Sequence, residues 1–208
     1  AHICLTTNMA AATGAIAATI TAWILFKKPD LSMTLNGCLA GLVAITAPCA
    51  FVTMGGSFVI GLIAGIIVVF GVVFFDKIKV DDPVGALSVH LLNGMFGTIC
   101  IGLFASPGAP SMGVDPHPGA GLFYGGGTAQ LITQIIGVVT VAAYVFPISL
   151  VTWLILKYTL GIRVSPEEEL EGLDHTQAGA AFFALAMPYL AERFTGAPAP
   201  STCDAVLP

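Results

Sequence analysis

Charged residues are scarce in this 208-residue chain. It contains seven lysines and arginines and twelve aspartates and glutamates, which together make up 9% of the sequence. A soluble globular domain carries roughly 25% charged residues, so this scarcity excludes an ordinary soluble protein. So few basic residues also leave no basic surface for a nucleic acid, and we expect no nucleic-acid partner.

Clustered metal ligands and paired catalytic groups are missing as well. The five cysteines are scattered and form no C-x-x-C pair, which supports neither a zinc site nor a disulfide framework. We expect the cysteines to be small apolar packing residues, and we expect no metal and no cofactor. No second catalytic group accompanies the intramembrane histidine described below, so the chain is not expected to be an enzyme.

Apolar residues, in contrast, are abundant: they make up 56% of the chain, and its mean hydropathy is +0.93. The windows without charge predict five membrane-spanning helices, because a helix needs about 20 residues to cross a bilayer. The predicted spans cover about residues 3–26, 33–52, 57–75, 83–104 and 128–156. We therefore expect an all-α membrane protein with a transmembrane domain over residues 1–157 and a tail over residues 158–208.

The basic residues form three clusters, and two predicted spans separate each cluster from the next. The clusters are Lys27 with Lys28, Lys77 with Lys79, and Lys157 with Arg163 and Arg193. Because a chain that crosses twice returns to the same face, all three clusters lie on one side, which the positive-inside rule identifies as the cytoplasm. The prediction is a multi-pass protein of the cell membrane, surrounded by the lipid bilayer, with a cytoplasmic tail.

Two predicted spans carry paired glycines, at Gly37 and Gly41 and at Gly61 and Gly65. Such small-x-x-x-small pairs allow helices to approach closely in a membrane. Glycine is also frequent in membrane helices in general. The pairs therefore indicate either close helix packing or only this general frequency, and both interpretations stay open. Gly55 and Gly56 predict a short connection between the second and third spans.

His90 is the sharpest single signal, because it lies about seven residues into the fourth predicted span. Ionisable groups at membrane depth are costly and usually face a bundle interior or a water-filled path. Two interpretations stay open: an interior histidine bonded to a neighbouring helix, and a histidine that lines a pore or relays protons. On a helix, the residues that share its face are Ala86, Leu87, Asn93 and Gly94. A neutral imidazole, with one donor and one acceptor, suits a small, polar, proton-exchanging permeant.

Two further positions are candidates for function. Asp81 and Asp82 precede the fourth span, where Asp82 is typical of a helix N-cap and Pro83 of a first helical position. Ion capture by these aspartates at the cytoplasmic mouth is the alternative. Thr46 lies deep in the second span, close to Pro48, and its hydroxyl either bonds its own helix or lines a pathway.

The block DDPVGALSVH, residues 81–90, closely resembles the signature of the Amt ammonium transporters. Supporting segments are GLVAITAPC at 41–49, GLF at 102–104, GIRV at 161–164 and EGLD at 171–174. The likeness runs from about Ile3 to Asp174. It implies that the five spans are helices seven to eleven, the C-terminal portion of an eleven-helix, inverted-repeat bundle.

The resemblance also implies a function, ammonium transport for nitrogen uptake through a narrow apolar channel in each subunit of a homotrimer, with ammonium or ammonia as the permeant. His90 corresponds to the second of two facing pore histidines, Ala86 to a pore-wall position, and Thr46 to a position on the eighth helix. Residues 161–174 are similar to the cytoplasmic tail near the surface that faces a PII-type regulatory protein. The alternatives are a non-conducting structural fragment and a transporter-like ammonium sensor.

Overall fold

The computed structural model describes residues 1–80, 82, 84–113 and 117–161, without the side chains of residues 112 and 113. Every regular element in these ranges is helical, which confirms the predicted all-α class. The long helices are α1 (His2–Phe26), α2 (Leu31–Thr46), α3 (Met54–Lys77), α4 (Leu92–Phe104) and α5 (Ala129–Leu160). A π-helical turn, Ala86–Leu91, leads directly into α4, and two short 3-10 helices, Pro110–Gly113 and Leu122–Tyr124, lie between α4 and α5.

The chain divides into two compact units, residues 1–147 and residues 148–208. The first unit contains α1 to α4 and the first part of α5. The described part of the second unit is the end of α5, up to Gly161. The rest of the predicted tail, residues 162–208, lies outside the described residues.

Within the described residues, four helical segments are long and apolar enough to cross a membrane: α1, α3, the π turn together with α4, and α5. The second predicted span is shorter than expected, since α2 has 16 residues and ends at Thr46 instead of about residue 52. Pro48 explains the early end, because it has no N–H with which to continue the helix. The Cys49 amide still donates to the Ile45 carbonyl at 2.8 Å, and the chain then turns.

The predicted glycine connection between the second and third spans is wrong. Gly55 and Gly56 belong to the first turn of α3, which begins at Met54. The Thr53 side chain caps this helix and accepts a hydrogen bond from the Gly56 amide at 3.1 Å. A hydroxyl acceptor at the N-cap satisfies one of the free amides of the first turn, so the helix starts earlier than hydropathy alone indicates.

The paired glycines hold α2 and α3 tightly against α1. The pairs Gly37–Gly41 and Gly61–Gly65 both lie against the carbonyl oxygens of Ala10 and Gly14, and an added Cβ would overlap these oxygens. The structure therefore supports the packing interpretation of both pairs. The core around them consists mostly of alanine and valine, because backbones this close leave no room for larger side chains.

The segment between α4 and α5 is tied to the connection between α2 and α3. The Ser106 amide donates to the Phe51 carbonyl at 2.8 Å, and the hydroxyls of Thr53 and Tyr124 lie 3.3 Å apart. The rings of Phe104 and Phe123 pack at a centroid distance of 5.1 Å. These contacts hold the segment that follows α4 against the segment that joins α2 to α3.

Candidate functional site

The site begins at Asp82, whose carboxylate holds the first turn of the π-helical segment. It accepts hydrogen bonds from the Leu87 amide at 3.0 Å, and from the Ser88 amide and the Ser88 hydroxyl at 2.9 Å each. Helical residues begin at Ala86 instead of at Pro83, and the N-cap residue is Gly85. Asp81 and Pro83 lie outside the described residues.

Gly85 explains why the helix starts later than predicted. Its φ of 73° lies in the left-handed region, which glycine adopts without steric penalty. The chain therefore bends between Asp82 and the helix, and the carboxylate lies in front of the free amides of the first turn. The sequence prediction placed Asp82 directly before the first helical residue, and it missed that three residues separate the capping carboxylate from the helix.

The environment of the Asp82 carboxyl favours its charged form. Burial raises its pKa, but the hydrogen bonds from the backbone of Leu87 and Ser88 and from the Ser88 hydroxyl outweigh burial, so its pKa lies below the ordinary value of 3.8. A lowered folded-state pKa adds stability above the unfolded-state value, and this stability disappears as the pH falls through the folded-state value. At neutral pH the carboxylate is thus ionised and stabilises the turn.

We expect Asp82→Asn to lower the free energy of unfolding by about 1–2 kcal/mol, because an amide has a single acceptor oxygen and no charge. The measurement is denaturant titration of the purified protein in detergent. The difference between wild type and variant should begin to shrink as the pH falls below the ordinary value of 3.8, and it should be smallest below the lowered folded-state pKa, where the wild-type carboxyl is protonated.

Asp30→Asn is the matched control. The Asp30 carboxylate accepts one capping hydrogen bond, from the Met33 amide at 2.8 Å, and asparagine caps helices about as well as aspartate. Equal losses in the two variants would contradict the special role of Asp82.

The turn that carries His90 is wider than an α-helical turn. The Leu92 amide donates to the Leu87 carbonyl, five residues back, as a π helix requires. Where five-residue spacing returns to four-residue spacing, one carbonyl is skipped. Asn93 Nδ2 donates to the carbonyl of Ser88 at 3.1 Å. Short π segments are frequent at functional sites.

The π turn places His90 and Ala86 on the exposed surface of the described part of the chain. They lie about one turn apart, so the structure brings these two predicted site residues together. The imidazole has no hydrogen-bond partner within the described ranges. Asn93, which we expected on the same face, is instead completely buried. That expectation was wrong because it assumed α-helical spacing.

Thr46 lies at a different level of the bundle. It is exposed, and its hydroxyl donates to the Leu42 carbonyl of its own helix at 2.7 Å, which is one of the two predicted roles. Gly97 of α4 packs against Ala44. The π turn contacts α2 as well, so α2 and α4 run parallel. Thr46 lies two residues beyond Ala44, and His90 lies seven residues before Gly97, so the two are separated by about two and a half helical turns, roughly 13 Å along the axis.

The sequence interpretation missed Ser88, Gly85 and the buried role of Asn93. The available signal was the presence of a serine and an asparagine on either side of an intramembrane histidine, since polar groups at that depth need partners. In the part of the chain that the structure describes, no group of three or more His, Cys, Asp or Glu side chains could hold a metal ion.

Comparison with known proteins gives one consistent result. A model of the Ammonium Transporter Family matches residues 1–183. The chain is 44% identical over 174 residues to the ammonium transporter Amt2 of Archaeoglobus fulgidus, covering 84% of this chain and 37% of that protein. It is 38% identical to the ammonium transporter of Bacillus subtilis, covering 84% of this chain and 42% of that protein.

Solved structures show the same fold. A structure named Sensor Amt Protein has a TM-score of 0.72 at 35% identity and matches 85% of this chain and 42% of its own. Candida albicans Mep2 has a TM-score of 0.69 at 27% identity, over 80% of this chain and 37% of its own. The chain thus spans about two fifths of the length of the relatives it matches. It belongs to the Ammonium Transporter Family.

Proposed function

We propose that the chain is part of an ammonium transporter of the cell membrane and that His90 and Ala86 line its pore. Its relatives in Archaeoglobus fulgidus and Bacillus subtilis are named ammonium transporters. In this proposal the five helices form the C-terminal portion of the transporter. Residues 1–157 then form its membrane domain and residues 158–208 its cytoplasmic tail.

The exposure of His90 is the observation that carries this proposal. An imidazole within an apolar helix is stable where it meets water, a polar partner or a permeant. His90 is exposed and has no hydrogen-bond partner within the described ranges, and the small side chain of Ala86 beside it leaves the ring accessible. The chain covers about two fifths of its relatives, and further segments would complete the wall opposite this face.

The proposed chemistry needs only a hydrogen-bond acceptor and room for a small molecule. Ammonium transfers a proton to water at the entrance and continues as neutral ammonia, because moving a charge into the low dielectric of the apolar passage is costly. Neutral ammonia then donates an N–H to the acceptor nitrogen of His90, while Ala86 keeps the passage open. Thr46 lies further along, with its hydroxyl hydrogen engaged by Leu42 and its oxygen lone pairs available to a permeant.

Uptake by the purified protein in proteoliposomes tests the transport proposal. Two preparations are compared, the 208-residue chain alone and the complete protein translated from its native reading frame. Ammonium-driven pH change in the complete protein supports transport. Uptake by the complete protein and not by the chain alone identifies the chain as a non-conducting part, and uptake by neither contradicts the proposal.

An ammonium sensor is the second candidate, because one matched structure is named a sensor. A sensor would bind ammonium without moving it across the membrane. Isotope-labelled ammonium binding in nanodiscs, measured beside uptake in proteoliposomes, separates the two functions. Saturable binding without uptake in the complete protein favours the sensor.

Assembly as a homotrimer and contact with a PII-type regulatory protein at the cytoplasmic face complete the proposal. No side chain of α5 is buried, so this helix is available to lipid or to neighbouring subunits. Native mass spectrometry in detergent, with and without a PII-type protein, measures both associations. A monomer that binds no such protein would contradict them.

A further inference from the structure

Asn93 combines full burial with incomplete hydrogen bonding. Its side chain is inaccessible to solvent, and its Nδ2 donates to the Ser88 carbonyl at 3.1 Å. Its Oδ1 has no hydrogen-bond partner in the described part of the chain. Exchanging the two amide atoms would set Oδ1 against the Ser88 carbonyl, acceptor against acceptor, so the chemistry determines which atom faces Ser88.

Stability alone does not account for an asparagine at this position. A buried acceptor without a partner costs free energy, and leucine, which is similar in size, would remove that cost. What asparagine adds is one N–H, directed at the carbonyl of the residue two positions before His90. Ser88 is thereby held from both sides, because its amide and hydroxyl donate to Asp82 and its carbonyl accepts from Asn93.

We propose that Asn93 is a positioning residue for His90. It stabilises the π turn by donating to the Ser88 carbonyl, the one that the return from five-residue to four-residue spacing would leave without a backbone amide. The role of the turn in transport rests on the proposed function, whereas the link between Asn93 and the turn is independent of it. Asp82 holds the start of the turn and Asn93 holds its end.

The direction of His90 depends on this turn. In an uninterrupted α helix, three residues rotate by about 300°, so His90 would lie roughly 60° from Asn93 and close to the buried face. The π turn adds one residue and moves the imidazole away from that face. A chain that loses the π turn would therefore carry His90 toward the packed side of α4, away from Ala86 and the exposed surface.

The test compares wild type, Asn93→Leu and Asn8→Leu as the full chain in lipid nanodiscs. Asn8 is the matched control, because its Nδ2 also donates to a carbonyl of its own helix, that of Cys4, but on an exposed face. We expect backbone amides of residues 89–92 to exchange about fivefold faster in Asn93→Leu, as the loss of one hydrogen bond predicts. We also expect the nitrogen NMR signals of the His90 ring to change, with no change in Asn8→Leu.

A purely structural role gives a different result. Asn93→Leu would then alter thermal stability and leave the His90 ring signals and the exchange of residues 89–92 unchanged, which would overturn the proposal. If Asn93→Leu does not fold, Asn93→Ser replaces it in the test. Serine is smaller, and its hydroxyl bonds back to its own helix. It should change the same two readouts. Neither readout requires transport, so failure of the proposed function leaves this test intact.

Discussion

Replacing His90 by phenylalanine is expected to reduce ammonium uptake by the complete protein about tenfold to a hundredfold. Phenylalanine keeps a ring of similar size and removes both nitrogens, so a permeant in the proposed apolar passage would lose its acceptor. An unsatisfied buried donor costs about 1–3 kcal/mol, and each 1.4 kcal/mol corresponds to a factor of about ten. Initial rates in proteoliposomes, at equal amounts of reconstituted protein, measure the effect.

His117→Phe is the matched control, since His117 is an exposed histidine in the segment between α4 and α5. We expect its uptake to equal that of wild type. His90→Asn is a second variant. Its amide retains a hydrogen-bond acceptor, so its uptake rate should lie between those of His90→Phe and wild type. Wild-type rates in His90→Phe would remove the main support for a pore at this face.

The second large effect is expected for Gly61→Ala, which should lower the free energy of unfolding by about 1–3 kcal/mol. A Cβ on Gly61 would overlap the Ala10 carbonyl oxygen and the Thr13 hydroxyl. The Thr13 side chain can rotate, but the Ala10 carbonyl belongs to the backbone of α1 and cannot, so α1 and α3 must separate. Denaturant titration in mixed detergent micelles measures the loss.

Gly137→Ala separates this packing effect from helix propensity. Nothing lies within 4 Å of a Cβ at Gly137, so the change should leave stability equal or raise it by up to about 1 kcal/mol, the propensity advantage of alanine. The reversed order, with Gly61→Ala the more stable variant, would show that the α1–α3 contact is looser than the structure indicates.

Windows of about 20 uncharged, apolar residues predicted most of the helices, because a helix that crosses a bilayer must be both long and apolar. The predicted end of α1 at Phe26 agrees with the structure, since the two lysines that follow cannot enter hydrocarbon. The predictions for the ends of α2 and for the start of α3 were less accurate. There the boundary depends on one proline and one threonine cap, which contribute little to the hydropathy of a 20-residue window.

The sequence by itself determined that this chain is helical and apolar, that it carries the signature of its family, and that a histidine lies inside one predicted span. Only the tertiary structure decided which side chains meet. It brought two glycine pairs against one stretch of α1, and the π turn that contains His90 left this histidine exposed while Asn93 is buried. The reason is physical: composition acts on each segment alone, whereas hydrogen-bond spacing and backbone contact depend on groups that only the folded chain brings together.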